Sequence, residues 1–366
     1  MIKRIECRNS SRAYLGSISD AKSIIWQVEY IGTGNFEIVV PYTKERFDWL
    51  QPNNYITRPE RTELGFIETL ELNSTPEEGR TLKATGRFGC VLLERRLLYA
   101  LSGYRGILLD FPEGSLIEEA CQNIVTLTLI NAPDSLRNVN WLFLAGLHGF
   151  TETTIEYEAE QANALEVAQS LLLADGVSSL GHKVVFDRQT LTAEYDIYKG
   201  QTRDLVFSQT YKNLLSFNWV KDLSIYKTRF LITGENYGDT FKFFTTKNLR
   251  TVPNAEQIRE YLFESSLSRN YTDKNGHDHT RTDAQYSSAL IKNVKTQFKE
   301  TLYTTQISGT VDLSAYKYGT DYNVGDIITI KDVGTGLNAQ SRIWSITEVQ
   351  DDNGYAIEAD FEGGAD

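Results

Sequence analysis

The sequence predicts an α+β fold that is mostly β. Three observations carry that expectation. Aromatic content is high, with 20 Tyr and 17 Phe against a single Met, and aromatic side chains favour strands. Alternation of apolar and polar residues dominates the first hundred residues and the last sixty. Helical spacing is confined to the stretches between them. At 366 residues and 41.5 kDa the chain is long enough for two or three domains at roughly 150 residues each. Its 41% hydrophobic and 23% charged residues fit an ordinary globular chain rather than a disordered or fibrous one.

The elements follow in order. Ile24, Trp26, Val28 and Tyr30 alternate with Ile25, Gln27 and Glu29, Phe36, Ile38 and Val40 alternate with Glu37 and Val39, and Gly32-Thr33-Gly34 lies between the runs. This reads as a hairpin with glycine in the turn. Leu64–Leu72 and Thr81–Thr85 form a further strand pair across a Pro76–Gly79 turn, and such short strands suggest a small barrel or sandwich. Ser115 precedes Leu116, Ile117, Ala120, Cys121, Ile124 and Val125, which share a helical face. Ser115 and Glu118 match a capping box. A second helix is expected over Ala159–Ala174, with Ala162, Leu165, Ala168, Leu171 and Leu172 on one side and Gly176 as its stop. Strands return at Lys183–Phe186 and Leu191–Tyr198, and the stretch Thr202–Phe244 is strand-like. Helices are expected at Asn254–Ser268 and at Asp283–Leu302, the latter on the spacing of Tyr286, Leu290, Val294 and Phe298. Between them Arg269–Thr282, with Asn275-Gly276, reads as a turn or mobile loop. Strands close the chain at Thr304–Val311, Asp326–Lys331 and Arg342–Val349. No repeat of 20–50 residues is evident.

Charge divides the chain into blocks. The net charge is −12, an unfavourable balance for wrapping duplex nucleic acid. Residues 101–200 hold 5 basic and 14 acidic side chains, and residues 301–366 hold 3 and 11. Residues 201–300 are basic, with 15 against 11. Such blocks point to domains with different exposed faces. Cys7, Cys90 and Cys121 form no CxxC pair and no disulfide framework, so folding in a reducing cytoplasm is expected, with Cys121 as a small core residue. The N-terminus lacks the apolar stretch of a signal peptide. The run from Trp141 to Leu147 is far short of the ~20 residues needed to span a bilayer.

The motifs that could carry chemistry read as structural. His277-Asp278-His279 lies in a polar stretch without the third and fourth ligands that a metal needs. The segment Gly176–Gly181 around Ser178 is not a GxSxG nucleophile elbow. Gly32-x-Gly34 and Gly334-x-Gly336 lack the third glycine and strand-to-helix setting of a dinucleotide site, and no phosphate loop is present. Glu77-Glu78, Glu118-Glu119 and Asp351-Asp352 are sequence neighbours that do not face one another, as glycosidase carboxylates must. Basic and aromatic residues interleave at Lys221–Phe230 and Phe241–Lys247, which reads as half-buried strands with basic outer faces. No catalytic, cofactor-binding or metal residue is assigned, and no cofactor is expected.

Four segments together resemble a family. They are Trp26-Gln-Val-Glu-Tyr with Gly34-Asn-Phe-Glu-Ile; Leu82-Lys-Ala-Thr-Gly86 through Arg95-Arg96; Tyr198-Lys-Gly200-Gln-Thr-Arg203 through Ser208, with Tyr211-Lys-Asn213; and Tyr318-Gly-Thr-Asp321 through Gly325-Asp326, leading to Arg342-Ile-Trp-Ser-Ile-Thr-Glu348. In this order, across nearly the whole chain, they resemble the siphophage tail-hub proteins, also called tail-associated or tail-tip (Tal-type) proteins. That family is related in fold to the trimeric baseplate hub of contractile phages. One departure is Gln201-Thr202 where an acidic residue is expected directly before Arg203.

The resemblance implies two similar small β-barrel domains with an inserted α/β domain and a helical segment. The boundaries would be 1–97 for the N-terminal barrel, 98–200 for the α/β domain, 201–245 plus 302–366 for the second barrel, and 246–301 for the helical insertion. It implies a non-enzymatic baseplate hub of a phage or prophage tail. A homotrimer would form a pseudo-sixfold collar that closes the tail tube. Its partners would be the distal tail protein ring, the tape-measure protein and receptor-binding or other baseplate proteins. DNA would pass only in transit, through a mildly acidic lumen that does not hold it. The place would be the distal end of the virion tail, reached after assembly in the bacterial cytoplasm, with a role in host attachment and no membrane anchor. Ending at Asp366, the chain reads as a hub without a lytic extension. The alternatives are a cell-wall glycan hydrolase, which needs a cleft with two facing carboxylates, and a carbohydrate- or receptor-binding module, which needs an exposed row of aromatics.

Overall fold

Alternation at the N-terminus becomes an antiparallel sheet in which strands such as Asn35–Pro41 bury every second side chain. The computed structural model describes all residues except 1, 3, 77–78, 99–108, 112–113, 155–156, 160–161, 174–178, 225–226, 238–240, 249–253, 273–276, 298–304, 313 and 362–366. Strands β1 (Ile5–Arg8), β2 (Tyr14–Ile18), β3 (Ser23–Glu29) and β4 (Asn35–Pro41) are followed by the short helix α1 (Lys44–Trp49). Then come β5 (Tyr55–Thr57), β6 (Gly65–Thr75), β7 (Gly79–Phe88) and the turn of helix α2 (Val91–Glu94). They lie in the order β3-β4-β7-β6-β5-β1-β2. The expected hairpin is β3–β4, with Trp26 opposite Phe36. Trp26, Phe36, Ile38, Leu82 and Phe88 form a core beneath it. Of the Pro76–Gly79 turn, residues 77–78 lie outside the described residues.

The middle of the chain supplies β8 (Leu109–Phe111), α3 (Ile117–Val125), β9 (Leu142–Leu144), β10 (Tyr157–Ala159), α4 (Ala164–Leu172), β11 (Leu180–Asp187) and β12 (Thr192–Lys199). The two expected helical faces are buried, with Cys121 and Ile124 on α3 and Ala168, Leu171 and Leu172 on α4 all at 0% exposure. The boundaries differ. The second helix begins at Ala164 rather than Ala159, because the Asn163 side chain accepts from the amides of Leu165 and Glu166 and so caps the helix there. Tyr157–Ala159 is a strand paired with β8. The expected stop at Gly176 lies outside the described residues. The capping box does not form. The residue before α3 is Leu116, with no side-chain cap bond, and Glu118 turns away to accept from the backbone amides of His148, Gly149 and Phe150 at 2.7, 3.1 and 3.2 Å.

Beyond β13 (Thr202–Phe207) and β14 (Asn218–Lys221) comes a small α/β unit. It comprises β15 (Arg229–Tyr237), β16 (Phe241–Asn248), β17 (Glu260–Glu264), the hairpin β18 (Asn270–Thr272) and β19 (Asp278–Thr280), and α5 (Asp283–Gln297). Phe241–Lys247 lies in strand β16, as expected, whereas Lys221–Phe230 holds only the end of β14 and the start of β15, with residues 225–226 outside the described residues. The helix expected at Asn254–Ser268 is absent. A single helical turn at Ala255–Gln257 leads into β17, which pairs in parallel with β15. The expected loop at Arg269–Thr282 instead pairs Tyr271 with His279, while Asn275-Gly276 lies outside the described residues. Helix α5 buries Tyr286, Leu290 and Val294 against Phe230 and Ile232. Phe298 also lies outside the described residues.

The chain closes with β20 (Thr305–Val311), β21 (Ile327–Asp332), β22 (Leu337–Asp351) and β23 (Gly354–Phe361). The fold class is α+β and mostly β, as expected, but the sheets do not close into two barrels. Among the described residues, the strands of the first expected barrel join β13, β14 and β20–β23 of the second in one open sheet of 13 strands, ordered β14-β20-β23-β22-β3-β4-β7-β6-β5-β1-β2 with β21 and β13 branching from β22, while β15 and β16 form a separate sheet with β17. The reason is the length of β22. Fifteen residues span roughly 50 Å at ~3.3 Å each, too long for one partner. Its first part pairs with β21 and its second part with β23 on one edge and β3 on the other, Glu348 opposite Trp26. Tyr30, Cys121, Leu171, Tyr195, Ile343 and Phe361 belong to a single core, so the α/β region and the C-terminal strands are packed together.

Candidate functional site at the junction of the four segments

Tyr30, at the end of the first segment, is where the other parts of the chain meet. Its side chain is fully buried, and its hydroxyl donates to the Ser179 carbonyl at 2.6 Å. Its backbone amide donates to the Trp344 carbonyl, and its carbonyl accepts from His182 at 3.1 Å. Tyr198 of the third segment meets its ring edge-on at 5.3 Å, and the Arg342 guanidinium of the fourth lies 5.1 Å from its centroid. His182, buried beside it, bonds the Ile31 carbonyl at 2.9 Å and the Tyr195 hydroxyl at 3.1 Å. Burial lowers the His182 pKa to about 4, against the bond to Ile31, which raises it. The ring is therefore neutral at pH 7.

The third and fourth segments lock together at two glycines. A Cβ on Gly200 would fall 1.7 Å from the Gly325 carbonyl oxygen, and Gly325 has φ +91° with the Tyr30 ring against it, so both positions exclude a side chain. Asp326 completes the lock. Its carboxylate accepts from the Gln201 amide and the Arg203 Nε, each at 2.8 Å, and from the Asn323 amide at 3.0 Å. The acid that the sequence lacks just before Arg203 is thus supplied from the Gly325-Asp326 turn. The expected tight turn at Gly325-Asp326 leads directly into β21.

The second segment holds the N-terminal sheet to its exit turn. Arg87 donates through Nε and Nη2 to both Glu68 oxygens at 2.8 and 2.9 Å and also pairs with Glu94, while Arg95 reaches Glu68 at 2.7 Å. The Arg87 hydrogen bonds hold Glu68 below the usual carboxylate range despite partial burial. A separate buried pair ties β5 to β22. Arg58 donates to both oxygens of Glu348 at 2.6 and 3.2 Å, with Tyr355 donating at 2.5 Å and Arg61 at 3.4 Å. The Arg58 guanidinium also lies 5.2 Å from the Trp26 ring. Burial pushes Glu348 up, but the bonds and charge of Arg58, the charge of Arg61 and the bond from Tyr355 together leave the carboxyl below its ordinary value. This pair was not legible in the sequence, since its members stand 290 residues apart.

The residues weighed for chemistry are placed apart. His279 stacks on Tyr271 in the β18–β19 hairpin at 5.2 Å. Glu118 is buried on amides while Glu119 is exposed. Asp351 ends β22 opposite Gly354, and Asp352 lies in the turn to β23. Glu77, Glu78, Gly176 and Ser178 lie outside the described residues. Cys7, Cys90 and Cys121 are free and buried, and burial lifts the Cys7 and Cys90 thiols to about 12. Among the described residues, no three His, Cys, Asp or Glu are grouped to hold a metal ion, and no helix is long and apolar enough to cross a membrane. What the arrangement does is mechanical: buried charge pairs and glycine contacts fix distant segments to one another.

Residues 4–361 match the family model described as Siphovirus ReqiPepy6 Gp37-like protein. No curated protein matches the sequence. In fold, the chain is similar to the tail protein from Neisseria meningitidis MC58, at 12% identity and a TM-score of 0.58, covering 99% of this chain and 97% of that one. It is similar to the 43 kDa tail protein of prophage MuSo2 from Shewanella oneidensis, at 11% identity and a TM-score of 0.57, covering 98% of each. It is also similar to prophage tail protein gp18 from Listeria monocytogenes EGD-e, at 14% identity and a TM-score of 0.50, covering 98% and 94%.

Proposed function

The chain belongs to the Siphovirus ReqiPepy6 Gp37-like protein family, and from that membership we propose that it is the hub of a phage or prophage tail tip, with an assembly role rather than a catalytic one. Three copies form a pseudo-sixfold collar that closes the tail tube and seats on the distal tail ring. The tape-measure protein, and DNA in transit, pass through its lumen, and receptor-binding or other baseplate proteins attach outside. The protein acts at the distal end of the virion after assembly in the host cytoplasm.

The observation that carries this reading is the end-to-end likeness of the fold to phage and prophage tail proteins. The side chains agree with it, because the buried charges are spent on joining segments of the chain. A closed ring of identical subunits needs rigid, heterologous faces, and a continuous sheet supplies rigidity. The test is solution mass by light scattering, alone and with the distal tail protein. A species near three times 41.5 kDa, or a complex with three copies on the ring, is the expected result. A monomer under both conditions overturns the collar.

A further inference from the structure

A cavity of about 470 Å³ opens between the N-terminal sheet and the segment that leads into β9, within the size range of ligand sites. Its floor is aromatic. Tyr55 and Phe66 meet edge-to-face at 4.9 Å, and Trp141 stacks beyond Phe66 at 6.3 Å. Tyr55 and Phe66 are buried, whereas Trp141 is only partly covered. Two guanidiniums stand at the rim. Arg12 lies 4.6 Å from the Trp141 ring and Arg95 5.3 Å from the Phe66 ring.

The two arginines differ in what neutralises them. Arg95 pairs with Glu68. Arg12 donates its Nε to the Leu191 carbonyl at 2.9 Å and lies beside the Tyr55 hydroxyl, but no carboxylate pairs with it among the described residues. Partial burial disfavours its charged form, so an anion entering the cavity would relieve it. The backbone is held in position for this. Four non-glycine residues have positive φ among the described residues. Arg12 and Asn53, at 68° and 71°, line the cavity, and Leu191, at 58°, holds Arg12. Strained backbone of this kind persists where the surroundings enforce it, and it clusters at ligand clamps.

We propose that this cavity is a docking site for an acidic aromatic anchor, an Asp or Glu beside Phe, Tyr or Trp, presented by another protein chain. The aromatic floor receives the ring by edge and face contacts, and the guanidiniums receive the carboxylate in the planar, forked manner that arginine favours. Charge selects a single carboxylate over a nucleic-acid strand, because the chain as a whole carries −12 and repels a polyanion. The site does not depend on the trimeric collar.

The test uses the full chain and two probes, N-acetyl-Glu-Phe-amide and N-acetyl-Gln-Phe-amide, followed through the indole N–H resonance of Trp141. The acidic probe is expected to shift that resonance saturably and to bind about tenfold more tightly than the neutral one. Arg12→Gln is expected to erase the difference while the indole signals of the four other tryptophans stay in place. Should Arg12→Gln disturb those signals, Arg95→Gln provides the same comparison and is expected to narrow the difference. Equal affinity for the two probes, no saturable shift, or tighter binding of deoxyadenosine monophosphate than of the acidic probe overturns the proposal. A monomeric mass overturns the collar alone and leaves this result standing.

Discussion

At the residue scale, Glu348 and His182 carry the sharpest consequences. Glu348 balances Arg58 in the interior, so Glu348→Ala strands a buried guanidinium. Breaking such a pair costs about 3–5 kcal/mol, and urea denaturation is expected to show a loss near the lower end, because Glu60 also bonds Arg58 at 2.8 Å. Replacing both members, Arg58→Met with Glu348→Leu, is expected to recover most of that loss. A double variant as unstable as the single one would sink the argument. His182 gives a pH dependence. Its pKa is about 4 in the fold and ~6.5 when unfolded, so the unfolded chain binds more protons between these values. Stability is therefore full above pH 6.5 and falls as the pH drops towards 4, by about 3 kcal/mol. His182→Gln is expected to flatten that slope in denaturation measured across the window, and an unchanged slope would refute the assignment. Neither residue stood out in the sequence. A lone histidine in a strand gives no sign of burial, and Arg58 and Glu348 are brought together only by the pairing of distant strands.

Single elements show what the sequence made legible. Strands with one buried face were readable, because period-2 alternation records burial directly. The helix expected at Asn254–Ser268 shows the limit. Ile258, Tyr261 and Leu262 have the spacing of a helical stripe, yet all three are exposed, at 40%, 39% and 54%. Pairing of β17 with β15 decided the conformation, and tertiary context overrides such weak local preference. The start of α5 at Asp283 was read from its apolar spacing, and a cap in the sequence accounts for it. The Thr282 amide donates to Gln285 Oε1 at 2.9 Å while the Gln285 amide donates to Thr282 Oγ1 at 3.4 Å, a reciprocal cap. Thr282→Ala is expected to cost about 1 kcal/mol and to speed amide exchange in the first turn of α5 only. Faster exchange spread through the N-terminal sheet would contradict that localisation. β23 was overlooked, although Ile357, Ala359 and Phe361 alternate with Glu358 and Asp360. The barrels failed for a different reason: closure depends on which edges pair, and alternation says nothing about edges.

For the whole molecule, the joined sheet matters most. With β3 hydrogen-bonded to β22 and a core shared between the middle and the C-terminal strands, the N-terminal and C-terminal regions are expected to unfold together. Tryptophan fluorescence and far-ultraviolet circular dichroism should give coincident melting curves. Two resolved transitions would mean that the seam at β3 and β22 is weaker than its register implies. The order of the four segments was readable as a resemblance, but their convergence was not. Arg203 and Asp326 meet across 123 residues, a distance over which sequence pattern carries no signal.

The same seam sets a timetable during synthesis. Trp26 leaves the ribosome long before Glu348, its partner across the sheet. At ~5–20 residues per second, the edge of β3 waits roughly 16 to 64 s for β22 to arrive. Throughout that interval the nascent chain presents an open strand edge next to an apolar face, the feature that draws chaperones or foreign strands. Slow translation of the second half of the message would lengthen the exposure, and lower temperature with chaperone co-expression should raise the soluble yield by protecting that edge.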